Sequence, residues 1–303
     1  MNSNIQKSFL KWVGGKHKLL NNILPRFPTN INNYHEIFLG GGSVLLGVLS
    51  QRDISNSIQE NIYAYDLNES LINCFQQVKN NPTQLINTLE PIVNEFISIE
   101  VNTFKQRGKP NVNNSNYKSS REHYYYWIRS KFNNSQKNTL ENACYFIFLN
   151  KTGYGGMYRE SSNGEFNIPY GKKNTKKIPT IYNIDVIMNI SRLIQRVHFI
   201  HSDFTDSLTN VKENDFVYLD PPYVPIKKDS FTSYTGTPFD KETHINLFNQ
   251  VKNLKNFVMS NSNEELVRTS FQNFNIYYIT ARRAINSANP ADTESEVIIY
   301  KYT

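Results

Sequence analysis

Asp220-Pro221-Pro222-Tyr223 closes the apolar run Phe216-Val217-Tyr218-Leu219, so the sequence sets a carboxylate at the carboxyl end of a strand. Open α/β sheets bind their ligands along that edge. Two consecutive prolines have no amide hydrogen and a fixed φ, so they cannot continue a ladder and they stiffen the turn. The turn therefore aims three groups into one crevice: the Asp220 carboxylate, the backbone carbonyl between the prolines, and the Tyr223 ring. An aromatic face beside two acceptors suits a flat base bearing an amino group. Tyr223 stacks on the ring while the two oxygens take the amino hydrogens. A plain Asp-Pro turn after a core strand is the competing explanation of the tetrapeptide.

A second constellation lies upstream. Ile37-Phe38-Leu39-Gly40-Gly41-Gly42-Ser43 follows one strand pattern and opens a helical one, with glycines where backbone must approach a ligand and Ser43 as the expected N-cap. Asp66 ends the next strand pattern, a spacing that suits a carboxylate on ribose hydroxyls. In a dinucleotide fingerprint the third glycine would fall at Leu45, so a nucleoside without a diphosphate fits better. Trp12-Val13-Gly14-Gly15-Lys16 is shaped like a phosphate loop. However, His17 stands where magnesium binding needs Ser or Thr, and Leu10 stands at the earlier glycine, which disfavours triphosphate hydrolysis.

The elements that must position these groups alternate between short apolar runs and helical periodicity, the pattern of a parallel sheet covered by helices. Strands are expected at 34–38, 62–65, 197–201, 216–219, 257–260, 276–280 and 297–302, the last two as a hairpin closing the sheet edge. Helices are expected at 16–24, 43–52, 69–78, 82–97, 123–132, 140–150, 184–195 and 241–252. Residues 102–120 are rich in Asn, Ser, Lys and Gly and read as an exposed loop; residues 151–180 mix Gly, Asn, Pro and aromatics without period and read as a structured loop or hairpin. The core thus comprises residues 1–70 and 183–303, with 71–182 inserted between its second and third strands. In Tyr124-Tyr125-Tyr126-Trp127 the helical spacing predicts core packing rather than a stacking platform.

Composition narrows the partner. Of the 303 residues, 33 are Lys or Arg and 26 Asp or Glu, a formal net charge of +7. Residues 101–180 hold fourteen of the basic and four of the acidic side chains, a local net of +10 that leaves the remainder at −3. Concentrating the whole excess in one segment predicts a phosphate-facing surface. Cys74 and Cys144 are the two cysteines and share no ligand spacing, and the six His are scattered, so neither a disulfide framework nor a metal site is expected. The polar start and the shortness of the apolar stretches predict a soluble, intracellular protein with no membrane partner.

Taken in order, these segments resemble the Dam family of adenine-specific DNA methyltransferases, in the α arrangement where the cofactor motif precedes the recognition insertion and the catalytic motif. Residues 10–16 look like the family's opening motif, with Trp12 and Lys16 on the cofactor side. Phe38, Gly40 and Gly42 match its S-adenosylmethionine loop, Asp66 its ribose-binding acid, and Asp203-Phe204 the pair lining the cofactor's adenine pocket. Residues 220–223 resemble its catalytic tetrapeptide, and 150–159 and 164–171 its DNA-reading hairpin. The resemblance implies a Rossmann-like α/β fold: a mostly parallel seven-stranded sheet with an antiparallel edge hairpin, plus an inserted helical and β-hairpin recognition domain. Lys11, Tyr154, Met157, Arg159, Asn167, Pro169 and Lys172 are then the DNA-contacting candidates, with Arg159 placed for bidentate reading of a guanine. Residues 231–239, 260–263, Arg282-Arg283 and Glu296 match late family segments without an evident role. Gly155 stands where many relatives carry Asn, and Lys172-Lys173 where members reading GATC carry Arg-Tyr, so the target is GATC or a related short site.

The implied reaction is methyl transfer from S-adenosylmethionine to the exocyclic amine of an adenine flipped out of duplex DNA. Asp220 and the Pro221 carbonyl hold the amino group, and Pro222 and Tyr223 shape the pocket. A cognate restriction endonuclease is a partner the resemblance allows, and a monomer or weak dimer is expected. Alternatives are a catalytically silent DNA-binding module, a methyltransferase acting on RNA or on a protein amide, and an NAD-linked oxidoreductase. Intact Asp220, Tyr223, Gly40 and Asp66 oppose the first; the basic hairpin opposes the second; the missing third glycine opposes the last.

Overall fold

The computed structural model describes residues 5–99, 110–171, 180–224, 239–282 and 293–302. Seven strands form one sheet: β1 (Tyr34–Glu36), β2 (Ile62–Asp66), β3 (Val197–His201), β4 (Phe216–Leu219), β5 (Asn256–Ser262), β6 (Asn275–Arg282) and β7 (Thr293–Lys301). Their order is β3-β2-β1-β4-β5-β7-β6. The first five run parallel, while β7 pairs antiparallel with both β5 and β6. The expected hairpin is present, with its second strand slotted inside and β6 left at the edge.

Burial explains the sequence pattern. All four residues of β4 are buried, as befits a central parallel strand covered on both faces. Tyr34, Tyr218 and Phe216 are fully buried and pack with Phe27 on one side, while Val217, Leu219 and Phe257 fill the other. Removing one such ring, as in Phe216→Ala, costs about 3–5 kcal/mol.

The chain winds outward through β1, β2 and β3, then returns to lay β4 against the other side of β1. This reversal puts the carboxyl ends of β1 and β4 side by side, with Glu36 opposite Tyr218. It is the switch point at which open sheets bind ligands. Regular pairing stops at Glu36 rather than continuing to Phe38, but Ile37 and Leu39 still donate to the carbonyls of Tyr218 and Tyr65.

Helices Pro82–Ser98, Arg121–Asn134 and Leu140–Thr152 pack together beside the sheet. The side chains of Ser120 and Thr139 cap the last two. Tyr124, Tyr125 and Tyr126 are buried there, as the helical spacing predicts. The expected helix over 16–24 is instead a 3-10 turn (Lys16–Leu19), a short α-helix (Leu20–Ile23) and a second 3-10 turn (Leu24–Arg26) in which proline occupies the first helical turn. Three short helices, Arg52–Ser57, Phe204–Thr209 and Glu265–Ser270, are too brief to carry a helical period of apolar residues. Among the described residues no helix is long and apolar enough to cross a membrane.

Candidate active site

The chain leaves β4 at Leu219 and places Asp220 at the carboxyl end of that strand, next to the end of β1. Its side chain is 20% exposed and its Oδ1 lies 2.8 Å from the ammonium of Lys16, which is 6% exposed. Lys16 Nζ also donates to the Gly14 carbonyl at 2.7 Å and sits 4.6 Å above the centre of the Tyr223 ring. Sequence reasoning placed Lys16 beside a cofactor; its partnership with Asp220 joins residues distant in sequence and carries no local signature. Burial pushes the Asp220 carboxyl up to about 6, with the Lys16 charge opposing the rise and Glu296 adding to it. The two prolines force the following backbone away from the sheet, and its polar groups find partners elsewhere. The Pro222 carbonyl accepts from His244 Nε2 at 3.0 Å, the Val224 amide donates to Asn261 Oδ1 at 3.3 Å, and the Val224 carbonyl accepts from Ser262 Oγ at 2.9 Å.

Tyr223 donates its hydroxyl to Glu296 Oε2 at 2.7 Å. Glu296, on β7, thereby gains the place that sequence alone left open: it fixes the phenol ring beside Asp220. Ser260, Asn261 and Ser262 gain theirs too, because Ser260 Oγ meets the Tyr218 hydroxyl at 3.0 Å and its two neighbours brace the turn. A further carboxyl was missed altogether. Glu36 ends β1, is 1% exposed, and accepts from the Tyr34 hydroxyl at 2.7 Å. Burial pushes it up to about 8, so it is largely protonated at neutral pH.

The glycine loop turns back towards this corner. Gly40 and Gly42 have φ of +50° and +69°, a region that side-chain-bearing residues rarely adopt. A Cβ on Gly40 would stand 2.8 Å from Trp12 Nε1, so the loop is tight as well as left-handed. Gly42, not Ser43, is the N-cap of the helix Ser43–Ser50, and no side chain caps it. A left-handed φ is needed at the helix entrance, and glycine supplies it. Asp66 accepts the Gly40 amide on Oδ2 and the Asn68 amide on Oδ1, both at 2.9 Å. Burial raises its pKa and those amides oppose the rise.

Phe38 and Phe204 approach to 6.0 Å between ring centres, and Phe239 closes a trio at 6.1 and 5.7 Å. Asp203 caps the helix that starts with Phe204, its Oδ1 accepting the Thr205 amide at 2.8 Å. These residues fit a nucleoside cofactor: aromatic walls for a base, a carboxylate at a strand end for ribose hydroxyls, and backbone stripped of side chains between them.

The recognition candidates share another face. Two antiparallel bridges, Gly153 with Tyr170 and Glu160 with Phe166, form a hairpin in place of a continuous ladder. Lys11, Tyr154, Arg159 and Pro169 are exposed; Met157 and Asn167 are half-buried. Arg159 donates its Nε to Asn167 Oδ1 at 2.7 Å, so the guanidinium is aimed by its neighbour across the hairpin. Underneath, Tyr125 and Arg129 donate to the Ile168 carbonyl at 2.9 and 3.0 Å. Lys172, Lys173, residues 231–238 and Arg283 lie outside the described residues, as does the side chain of Arg282.

Residues 12–285 match the sequence pattern of the D12 class of N6 adenine-specific DNA methyltransferases. The chain is 34% identical over 293 residues to the type II methyltransferase M.MjaIII of Methanocaldococcus jannaschii, an alignment covering 92% of this chain and 93% of the relative. It is 31% identical over 307 residues to the type II methyltransferase M1.LlaDCHI of Lactococcus lactis subsp. cremoris, covering 98% and 95%. Against a DNA adenine methylase of Haemophilus influenzae the identity is 29%, covering 94% and 89%. With a fold of the expected class and likeness along nearly its whole length, the chain belongs to the D12 class of N6 adenine-specific DNA methyltransferases.

Proposed function

We propose that this adenine-specific DNA methyltransferase uses S-adenosylmethionine and holds the target amino group between Asp220 and the Pro221 carbonyl. The observation that carries the reading is the corner where β4 ends. There a largely buried carboxylate, a proline-stiffened turn and a braced aromatic ring stand at the sheet's switch point, next to the strand whose glycine loop is tied to Asp66. S-adenosylmethionine, when bound, supplies a methyl group on a positively charged sulfur.

The chain's own residues do the rest. Phe38 and Phe204 flank the cofactor's base, with Phe239 beside them, and Asp66 takes ribose hydroxyls on oxygen lone pairs that its two backbone amides leave over. Tyr223 stacks on the everted adenine, recovering part of the few kcal/mol that eversion costs, since a base–aromatic contact contributes about 1–3 kcal/mol. For the base to stack on the face that Lys16 covers, the ammonium shifts aside while remaining within reach of Asp220. Asp220 and the Pro221 carbonyl accept the two amino hydrogens, which favours a pyramidal nitrogen with its lone pair directed at the methyl carbon. Lys16 keeps Asp220 ionised against its burial. The methylated aminium is a far stronger acid than a carboxyl titrating at about 6, so Asp220 can take the departing proton.

Residues 71–182 act as the target-recognition insertion in a core of 1–70 and 183–303. In that insertion Arg159 reads a base edge, and Tyr154, Met157, Asn167 and Pro169, together with Lys11 and Lys172, complete the DNA face of a short site. A cognate endonuclease acting on the same site would make the protein the protective half of a restriction pair. The test is methyl transfer to mixed-sequence duplex DNA in the presence of S-adenosylmethionine, with methylated bases mapped by sequencing. N6-methyladenine confined to one short sequence supports the reading; transfer to RNA alone, or none, overturns it.

A further inference from the structure

Asn150, in the last turn of the helix Leu140–Thr152, is 4% exposed, and its side-chain amide is bonded to the backbone near the start of the sequence. Its Oδ1 accepts the Lys11 amide at 2.8 Å and its Nδ2 donates to the Lys11 carbonyl at 2.7 Å, the two-way pairing that a neighbouring strand would give. The same Nδ2 lies 3.3 Å from the carbonyl of Gly156, in the first turn of the reading hairpin. Gly156 has φ +67°, and a Cβ there would sit 2.6 Å from that of Lys11, so the backbone at Lys11 and the hairpin are in direct contact. Burial, with the Lys11 charge adding to it, pushes the neighbouring Lys151 ammonium down to about 8.

From that junction the strap of residues 11–16 runs to the catalytic corner. Trp12 lies between two bodies. On one side it stacks on Phe146 and Tyr158 at 6.5 and 6.3 Å; on the other it fills the space that side chains on Gly40 and Gly41 would need. Lys16 ends the strap at Asp220.

We infer that Asn150 is a positioning residue that locks the DNA-reading hairpin to the strap carrying Lys16, so that correct docking of DNA and placement of the catalytic carboxylate are set together. A residue that merely filled space would not need to pair with both the backbone amide and the backbone carbonyl of one distant residue. The inference rests on the proposed function, and the wild-type arm of its test addresses that reading separately.

The test measures methyl-transfer rate constants on the duplex that the wild-type protein modifies and on the same duplex with one base pair of its site changed. Asn150→Ala and Asn150→Asp are compared with Asn73→Ala. The control also removes a side-chain hydrogen bond of a buried asparagine, from Asn73 Nδ2 to the Thr139 carbonyl at 2.7 Å, which joins neither the strap nor the hairpin. The Asp variant keeps the acceptor for Lys11 and loses the donor, and it serves if the Ala variant does not fold. The expected result is that the ratio of the two rate constants falls by about tenfold in the Asn150 variants, through slower transfer to the correct site, while S-adenosylmethionine affinity is unchanged and Asn73→Ala keeps the wild-type ratio. Equal slowing on both duplexes, or an unchanged ratio in folded Asn150 variants, overturns the inference. Absence of DNA methylation by the wild-type protein overturns the functional reading instead.

Discussion

Replacing Lys16 by Met should move the acid limb of the pH–rate profile rather than simply lower the rate. Asp220 titrates at about 6 because burial raises it and the Lys16 ammonium holds it back. Two unit charges at the 2.8 Å separation of this pair attract by about 1.5 kcal/mol in water-like surroundings and about 6 kcal/mol at an effective dielectric near 20. At about 1.4 kcal/mol per pH unit, that brackets a shift of about one to four units. Both groups are mostly buried, so even the water-like limit is a floor: the limb should move from near pH 6 to about 7 or above. The sign follows from which form acts. Asp220 must be ionised to accept from the amino group, so without Lys16 activity is lost at higher pH as acid is added. Single-turnover transfer at saturating S-adenosylmethionine and DNA, followed from pH 5 to pH 9, separates this movement from any loss of affinity, and Lys16→Arg should keep the limb near its original position. A limb that stays near pH 6 in Lys16→Met would refute the assignment of Lys16 as the charge that holds Asp220 ionised.

Other consequences follow from the same geometry. Glu36 has a folded-state pKa raised to about 8, so its contribution to stability is full at pH values below the ordinary carboxylate range and drains away as pH rises through 8. Melting temperature should fall between pH 5 and pH 8 by up to the equivalent of about 1.4 kcal/mol per pH unit, and Glu36→Gln should flatten that slope. Tyr223→Phe keeps the ring and loses the bond to Glu296, whereas Tyr223→Ala loses the stacking face, worth about 1–3 kcal/mol. Single-turnover rates should therefore fall in the order wild type, Phe, Ala; equal rates for Phe and Ala would remove stacking from the account. Arg159→Ala should relax discrimination at one base pair by about 1–3 kcal/mol while leaving the others read, and Asn167→Ala, which frees the guanidinium, should give a smaller change at that same position. Methylation of a library with each site position randomised would show which positions respond.

The parts of this molecule that were legible from sequence are those set by contiguous residues. The runs ending at Leu219 and His201, and the helix Lys241–Lys252, lie where hydrophobic pattern and punctuation place them, because a buried strand or an amphipathic face is written in neighbouring positions. The Lys16–Asp220 pair, the Tyr223–Glu296 bond and the His244 hold on Pro222 were not legible, since each joins elements brought together only by the winding of the sheet. Glu36 was not legible because the expected strand 34–38 placed it inside an apolar run, whereas β1 ends at Glu36 and the β1–β4 junction buries it. The second of the 3-10 turns after Lys16 has a local reason: Pro25 has no amide to donate, and the turn Leu24–Arg26 ends with the Phe27 amide on the Leu24 carbonyl.

The central claim is that Asp220, with the adjoining carbonyl, holds the amino group at the moment of transfer. Single-turnover methylation by Asp220→Ala, at S-adenosylmethionine and DNA concentrations shown to saturate the variant, tests it most directly. The account predicts a rate reduced by about a hundred- to a thousandfold in a folded protein that still binds both; a rate within about tenfold of wild type would contradict it.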